Sequence, residues 1–193
     1  ARTIAFDINP VATLVQRQAI QPWNWDRLER LYRLVEADCR GEIDRVHRTE
    51  DGRTALYYFW VAGATCPTCR STVHLFDSPV FSRNAYPKRV PRAQLVCPQC
   101  LDIQEGRYDF EQATCANGHV MTPAGNVVRT MMTCSNGHSH RVIDALNGSR
   151  PTYSLYAKMV VDPQGRKSYE AATEWDRGLY AECETLLAAL PAR

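Results

Sequence analysis

The chain has 193 residues, enough for one ordinary domain or two small ones, and 45% of them are apolar, which excludes a chain disordered by composition. Its formal net charge of +2 neither requires nor excludes a nucleic-acid partner. The longest apolar run, residues 55–64, is too short to span a membrane, so we expect no membrane partner.

Residues 1–22 predict one strand and one helix. Residues 4–6 are typical of a buried strand that ends at Asp7, and Pro10 then opens a helix at a position where its missing N–H costs little. This β-α step is typical of a doubly wound, Rossmann-like sheet. We therefore interpret residues 1–22 as a remnant of such a sheet.

Residues 23–54 predict a helical linker region, with Asn24 as the N-cap. Apolar residues recur there at three- and four-residue spacing, with charges on the other face. This stripe consists of Leu28, Leu31, Tyr32, Val35 and Cys39. A free cysteine on such a stripe behaves as a small hydrophobic residue, so we expect Cys39 in the core.

Residues 55–148 alternate cysteine, Gly, Pro and short apolar runs, and residues 55–61 predict a strand rich in aromatic residues. This composition is typical of a small unit in which metal replaces the core that short strands cannot build. We predict a double zinc-ribbon region here, flanked by helices, and the α+β class for the whole chain.

Residues 149–193 predict a β-hairpin and a C-terminal helix. A strand over residues 153–161 leads into a β-turn at residues 162–165 and a returning strand. Thr173 with Asp176 resembles a capping box. The apolar stripe of the helix that follows consists of Leu179, Tyr180, Cys183, Leu186, Leu187 and Leu190. We expect Cys183 in the core.

Eight cysteines in this length need a structural reason. The amino terminus shows no basic-then-apolar signal segment, so we expect a cytoplasmic protein. In that compartment, clustered cysteines are more often metal ligands than disulfides. The cysteine count therefore predicts metal binding.

Two C-x-x-C pairs predict a structural zinc site. Zinc prefers four tetrahedral ligands, and a tight turn with two cysteines three apart supplies one edge of the tetrahedron. Two such turns close the site and leave no position for water, with Cys66, Cys69, Cys97 and Cys100 as its ligands. The alternative is two unrelated redox pairs, but neither has a thioredoxin-like context.

An internal echo, C-A-N-G-H at residues 115–119 and C-S-N-G-H at residues 134–138, predicts a second zinc site. An imidazole reaches further than a thiol, so a histidine four residues after a cysteine can meet the same metal. The predicted ligands are Cys115, His119, Cys134 and His138, with His140 competing for the fourth position. The alternative is a pair of hairpin turns with surface histidines.

Basic residues gather between the two C-x-x-C pairs, with Asn84 and Tyr86 among them. They are Arg83, Lys88, Arg89 and Arg92. Mixed basic and aromatic loops on zinc ribbons often contact phosphates and bases. The same residues fit a solvated loop equally well, so DNA binding and plain exposure are both open here.

Longer motifs run in order along nearly the whole chain: F-D-I-N-P-V-A at 6–12, Y-Y-F-W-V at 57–61, L-F-D-S-P-V-F-S at 75–82, N-A-Y-P-K-R at 84–89, R-Y-D at 107–109, L-Y-A-K at 155–158 and G-R-K-x-Y at 165–169. With these motifs the chain resembles an internal segment of the zinc-ribbon-containing adenine-specific DNA methyltransferases of bacteria and archaea. In that family the zinc-ribbon region is inserted between a step of the methyl-donor domain and the catalytic motif.

The resemblance implies that Asp7 accepts hydrogen bonds from the ribose hydroxyls of S-adenosylmethionine, with Asn9 shaping the adjacent turn. The residues alone favour an acid that caps the next helix. The resemblance also implies zinc as the bound metal, DNA as a partner, and the rest of the methyltransferase on the same or another chain. Restriction-modification, phage defence and housekeeping methylation are equally compatible settings.

Three departures from the family pattern limit the expected activity. The catalytic (D/N)-P-P-(Y/F) tetrapeptide does not occur in the sequence, and the glycine-rich donor loop would lie before residue 1. Relatives are expected to use C-x-x-C at the second zinc, where this chain has C-x-x-x-H. We therefore expect a methyltransferase segment that is not catalytically competent alone and binds S-adenosylmethionine only in the assembled enzyme. The alternatives are a free-standing zinc-ribbon module for nucleic-acid or protein binding, and a rigid spacer between methylase lobes.

Overall fold

The computed structural model describes residues 8–189, and the chain divides into two compact units, one ending at Arg45 and the other beginning at Val46. The described residues form a mixed α+β protein, and each of its sheets is antiparallel. Across residues 8–189, no helix is long and apolar enough to cross a membrane.

Helix α1 (Pro10–Ile20) begins at the predicted proline, which occupies the first turn where no N–H is needed. The Val11 N–H donates to Asn9 Oδ1 over 2.9 Å, so Asn9 is the N-cap of this helix. The predicted strand over residues 4–6 and the ribose-binding Asp7 lie outside the described residues.

Helix α2 (Trp25–Val46) confirms the predicted long helix and its N-cap, because the Arg27 N–H donates to Asn24 Oδ1 over 2.9 Å. The expected burial of Cys39 is wrong, because its thiol is exposed. Neither α1 nor α2 has a buried residue, since two helices alone enclose too little volume to cover an apolar stripe.

The second unit is built on a four-stranded sheet of β1 (Thr54–Thr65), β2 (Thr72–His74), β11 (Thr152–Val161) and β12 (Lys167–Ala171). The order of these strands across the sheet is β12-β11-β1-β2. The predicted strands over 55–61 and 153–161 are therefore confirmed, and they pair with each other in an antiparallel ladder. This pairing joins the predicted zinc-ribbon region to the predicted carboxyl-terminal hairpin in one sheet.

An apolar core packs against this sheet. Its buried members are Val61, Phe76, Val96, Tyr156 and Ala157. Aromatic rings pack edge-on around it, with the Phe76 and Phe81 ring centroids each 5.5 Å from that of Tyr156. Such edge-to-face contacts add to the free energy of burial.

The intervening chain forms short hairpins. A three-stranded sheet comprises β3 (Val80–Arg83), β4 (Arg92–Val96) and β5 (Ile103–Arg107) in sequence order. A two-stranded ribbon comprises β6 (Ala113–Thr114) and β7 (Val120–Met121). A second three-stranded sheet of order β10-β9-β8 comprises β8 (Val127–Val128), β9 (Met131–Thr133) and β10 (Ser139–Arg141), and helix α3 (Val142–Leu146) follows it.

Helix α4 (Glu174–Ala188) closes the described chain, and the predicted capping box between Thr173 and Asp176 is present at its start. Asp176 is buried and accepts two hydrogen bonds from the ammonium of Lys158, over 2.8 and 3.0 Å. The thiol of Cys183 is only half-buried, short of the core position expected, because the end of the apolar stripe around Leu187 is exposed.

Candidate metal centres and a basic groove

Four tight turns between neighbouring strands carry all eight predicted ligands. The two C-P-x-C turns connect β1 to β2 and β4 to β5. The two C-x-N-G-H turns connect β6 to β7 and β9 to β10. Because a strand begins or ends within a few residues of each ligand, the sheets hold the side chains in place.

The two C-P-x-C turns have the same backbone geometry. In the first, the Arg70 N–H donates to the Cys66 carbonyl over 2.9 Å, and Arg70 has a φ of 63°. In the second, the Leu101 N–H donates to the Cys97 carbonyl over 2.9 Å, and Leu101 has a φ of 62°. Such left-handed residues are uncommon outside glycine, so their recurrence marks a specific turn that brings two thiols together.

The two C-x-N-G-H turns also match each other. The N–H groups of Gly118 and Gly137 donate to the carbonyls of Cys115 and Cys134, both over 2.9 Å. These glycines have φ values of 80° and 81°, a conformation that glycine adopts at little cost. The glycine therefore lets the turn bring its cysteine and histidine to the same side.

The first centre contains Cys66, Cys69, Cys134 and His138, whose ligand atoms all lie within 4.8 Å of one another. The Sγ atoms of Cys69 and Cys134 are 3.7 Å apart. The Nδ1 atom of His138 lies 3.5 Å from Cys134 Sγ and 4.0 Å from Cys66 Sγ. Three sulfurs and one nitrogen therefore converge on one point.

The second centre repeats this arrangement with Cys97, Cys100, Cys115 and His119. The Sγ atoms of Cys100 and Cys115 are 3.8 Å apart. The Nδ1 atom of His119 lies 3.5 Å from Cys115 Sγ and 3.7 Å from Cys97 Sγ. Both centres are sets of three cysteines and one histidine, abbreviated CCCH, that could hold a metal ion such as zinc.

The predicted division of ligands is wrong, because it placed four cysteines in one site and two cysteines with two histidines in the other. Each C-P-x-C turn meets a C-x-N-G-H turn, so Cys66 and Cys69 share no centre with Cys97 and Cys100. The physical reason is strand pairing. The second C-P-x-C turn connects β4 to β5, and these strands pair with each other in a sheet that does not include β1. The order of the motifs in the sequence was the signal that could have revealed this pairing. The inner two motifs, at 97–100 and 115–119, form one centre, and the outer two, at 66–69 and 134–138, form the other.

The competing histidine, His140, is not a member of either centre. Its Nε2 atom lies 3.0 Å from the hydroxyl oxygen of Thr68. His140 lies within strand β10, where it pairs with Met132 beyond the ligand turn, whereas His138 is the last residue of that turn. His138 is therefore the fourth member of the first centre.

The two thiols of each C-P-x-C turn differ in pKa, because hydrogen-bonding neighbours surround the second thiol. Asn117 Nδ2 donates to Cys100 Sγ over 3.3 Å, and the equivalent Asn136 hydrogen-bonds to Cys69. A further hydrogen bond with the Ser71 hydroxyl, the largest contribution, lowers the pKa of the Cys69 thiol to about 5. Such donors stabilise a thiolate, which is the form that binds metal.

The first cysteine of the second turn has the opposite environment, since burial raises the pKa of the Cys97 thiol to about 12. Apolar side chains surround both centres. Val73 and Met132 are buried beside the first, and Met121 is buried beside the second. Each pair of turns therefore has its own small core, of which the ligands are members.

The predicted DNA-contacting residues lie at the far end of the β3-β4 hairpin from the second centre. Strand β4 begins at Arg92 and leads directly into Cys97, and Arg83 is the last residue of β3. The predicted cations, which include Lys88 and Arg89 in the connecting loop, lie on this hairpin, and all four are exposed. The hairpin thus brings them together on one edge.

Two features of this edge were missed by the sequence interpretation. Arg92 forms an ion pair with Glu105 on the neighbouring strand, which reduces its free charge. Lys167, at the start of β12, joins Arg83 and Arg92 along a groove of about 570 Å³. Lys167 is distant in sequence from the hairpin, so its place in the groove becomes visible only where β12 lies beside the β3-β4-β5 sheet.

Searches for relatives matched no family model, no curated protein and no solved structure. Two CCCH centres could hold a metal ion such as zinc, and a groove lined by cations lies beside the β3-β4-β5 sheet.

Proposed function

We propose that each CCCH centre binds one structural zinc ion. A tetrahedral zinc, with Zn–S about 2.3 Å and Zn–N about 2.0 Å, sets two sulfurs about 3.8 Å apart and a sulfur and a nitrogen about 3.5 Å apart. The Sγ–Sγ distances of 3.7 and 3.8 Å and the shortest Sγ–Nδ1 distance of 3.5 Å in each centre support this assignment. This agreement is the observation that carries the proposal.

Zinc in such a centre would supply folding energy. Four protein ligands complete a tetrahedron and leave no position for water or substrate. The side chains that would hold the two ions come from turns up to 72 residues apart in sequence, as with Cys66 and His138. Zinc would therefore join hairpins that are distant in sequence, in the manner of a double zinc ribbon.

We further propose that the chain is a DNA-docking segment of a SAM-dependent, adenine-specific DNA methyltransferase. The family motifs in their order along the sequence support the assignment to that enzyme class. The cations on the β3-β4 hairpin support a DNA contact. In the assembled enzyme, Asp7 would accept hydrogen bonds from the ribose of S-adenosylmethionine, and Asn9 would shape the adjacent turn.

The position of the second centre gives the DNA-docking proposal a physical basis. The centre would hold β4 and β5 at one end, and the cations lie at the other end of the same short strand. A rigid hairpin loses little conformational freedom on binding, so more of its electrostatic attraction becomes affinity. Zinc would then act on DNA binding by fixing the hairpin.

The test is binding of the zinc-loaded full chain to a fluorescein-labelled DNA duplex, measured by fluorescence anisotropy at two salt concentrations. We expect affinity that falls steeply with salt and weakens in a variant with Arg83, Lys88, Arg89 and Arg92 replaced by alanine. Arg129→Ala and Arg150→Ala, at exposed sites outside this hairpin, are the matched controls. Absence of binding at low salt would overturn docking on duplex DNA.

A second candidate function is a free-standing zinc module for nucleic-acid or protein binding. The observation that favours it is the compact unit from Val46 onward, which has its own sheet, its own core and both metal centres. Methyl transfer to DNA by an assembled enzyme that contains this chain distinguishes the two. Transfer that proceeds equally without the chain would support the free-standing module.

A further inference from the structure

The groove beside the β3-β4-β5 sheet is lined by cations and side-chain amides. Its walls are this sheet and the start of β12, and its volume is about 570 Å³. The polar side chains that line it include Arg83, Asn84, Arg92, Gln94, Gln104 and Lys167. Amides can donate and accept hydrogen bonds, so the lining suits the mixed edges of nucleobases as well as phosphates.

The two walls of the groove are tied together. The Ser82 hydroxyl donates to the Tyr169 hydroxyl over 2.7 Å, which joins β3 to β12. Behind this hydrogen bond, the Phe81 and Tyr169 rings pack edge-on with centroids 5.8 Å apart. The groove is therefore formed before any ligand arrives, and its width is set by the fold.

The charge along the groove is net positive. In the described part of the chain, three cations line it, and Glu105, which pairs with Arg92, is its one carboxylate. Within residues 8–189, Arg83 and Lys167 have no acidic partner. Two cations remain available for phosphate groups, one on each wall.

The loop above the groove presents an aromatic ring to solvent. Asn84 Oδ1 accepts the Tyr86 N–H over 2.8 Å, and the Tyr86 carbonyl accepts the N–H groups of Arg89 and Val90, both over 3.0 Å. These bonds define the loop backbone, whereas the Tyr86 side chain is 69% exposed. An ordered loop therefore carries a free aromatic face between two groove residues, Asn84 and Val90.

We propose that this groove binds an unpaired DNA strand, with phosphates against Arg83 and Lys167 and one base stacked on Tyr86. The proposal rests on the proposed DNA docking and specifies which form of DNA this surface takes. In a duplex the base faces are stacked on one another, so an exposed ring has no partner there. Base–aromatic stacking beside a cationic groove is the usual way that proteins hold single strands.

The experiment compares the zinc-loaded full chain with a labelled single strand of about 16 nucleotides and with the matching duplex. We expect the single strand to bind more tightly. Tyr86→Ala should weaken single-strand binding about ten-fold and leave duplex binding within about two-fold, while Tyr86→Phe should retain the wild-type preference. Lys167→Ala should reduce the salt slope for the single strand by about 0.7, the value for one lost phosphate contact.

Tyr153→Ala is the matched control, because Tyr153 is 65% exposed on β11 and does not line the groove. Equal or tighter duplex binding, with Tyr86→Ala indistinguishable from Tyr153→Ala, would overturn the single-strand proposal and leave DNA docking standing. Absence of binding to either DNA at low salt would overturn both.

Discussion

At the scale of single residues, the pairing of ligands between the two centres has a direct test. Cys66→Ser/Cys134→Ser removes two ligands from one centre, so we expect one zinc per chain, as in either single variant. Cys66→Ser/Cys97→Ser removes one ligand from each centre, and we expect it to retain no zinc, since an incomplete tetrahedron binds far more weakly. Zinc content is measured by mass spectrometry after gel filtration.

His140→Ala serves as the control and should keep two zinc ions, because His140 contacts Thr68 and belongs to neither centre. If Cys66→Ser/Cys97→Ser kept one zinc, these two cysteines would share a centre and the observed pairing would be contradicted. This outcome would restore the all-cysteine site that the two C-x-x-C motifs predict.

The identity of the ligands was predictable from sequence, whereas their pairing was not. All eight predicted residues lie in the two clusters, because the chemistry of a C-x-x-C or C-x-x-x-H turn is local. Pairing depends on which strands neighbour each other, and local spacing does not encode that. The nested order of the motifs was the available clue, since the linker 101–114 closes a shorter loop than the linker 70–96.

At the scale of elements, α4 is held to the sheet by the buried pair of Lys158 and Asp176. Asp176→Ala leaves the Lys158 ammonium buried without a partner and removes the capping box with Thr173. We therefore expect about 3–5 kcal/mol of lost stability, measured by urea unfolding of the zinc-loaded chain. The exposed pair of Arg177 and Glu174 on the same helix is the control, and Arg177→Ala should cost less than about 1 kcal/mol.

The double variant Asp176→Ala/Lys158→Met separates charge from packing. Removing the ammonium as well should recover part of the stability lost in Asp176→Ala, because an uncompensated buried charge is the larger cost. Equal destabilisation by Asp176→Ala and Arg177→Ala would show that the buried pair does not anchor the helix.

Elements were predictable where the signal is local. The capping box placed the start of α4, and Asn24 placed the start of α2. The burial of an element was less predictable than its position. The apolar stripe of α2 indicates an amphipathic helix but does not identify the surface that would pack against it, and Cys39 on that stripe is exposed. The strand that contains Lys158 was predicted from sequence, but its ion pair was not, because the partner, Asp176, lies in a separate element.

At the scale of the whole molecule, residues 46–189 of the second unit form three small cores of two kinds. One is purely apolar and lies on the four-stranded sheet, around Phe76 and Tyr156. The other two are organised around ligands, with Cys66 and Cys134 buried in one and Cys97 and Cys115 in the other. Without metal, we expect these two cores to lose the bonds that join their hairpins and the apolar core to keep most of its contacts.

Removal of zinc by a chelator should therefore unfold the hairpins and leave the sheet. Binding of structural zinc contributes on the order of 10 kcal/mol per site, comparable to the stability of a whole domain. Hydrogen exchange followed by mass spectrometry should lose protection over residues 113–121 and 127–141 and retain it where β1 pairs with β11. Cys97→Ser should lose protection at the second centre only, and Cys183→Ser, outside both centres, should keep two zinc ions and native exchange. Simultaneous loss of protection in the β1-β11 ladder would mean that the sheet depends on metal as well, and the apolar core around Tyr156 would then be too small to hold it.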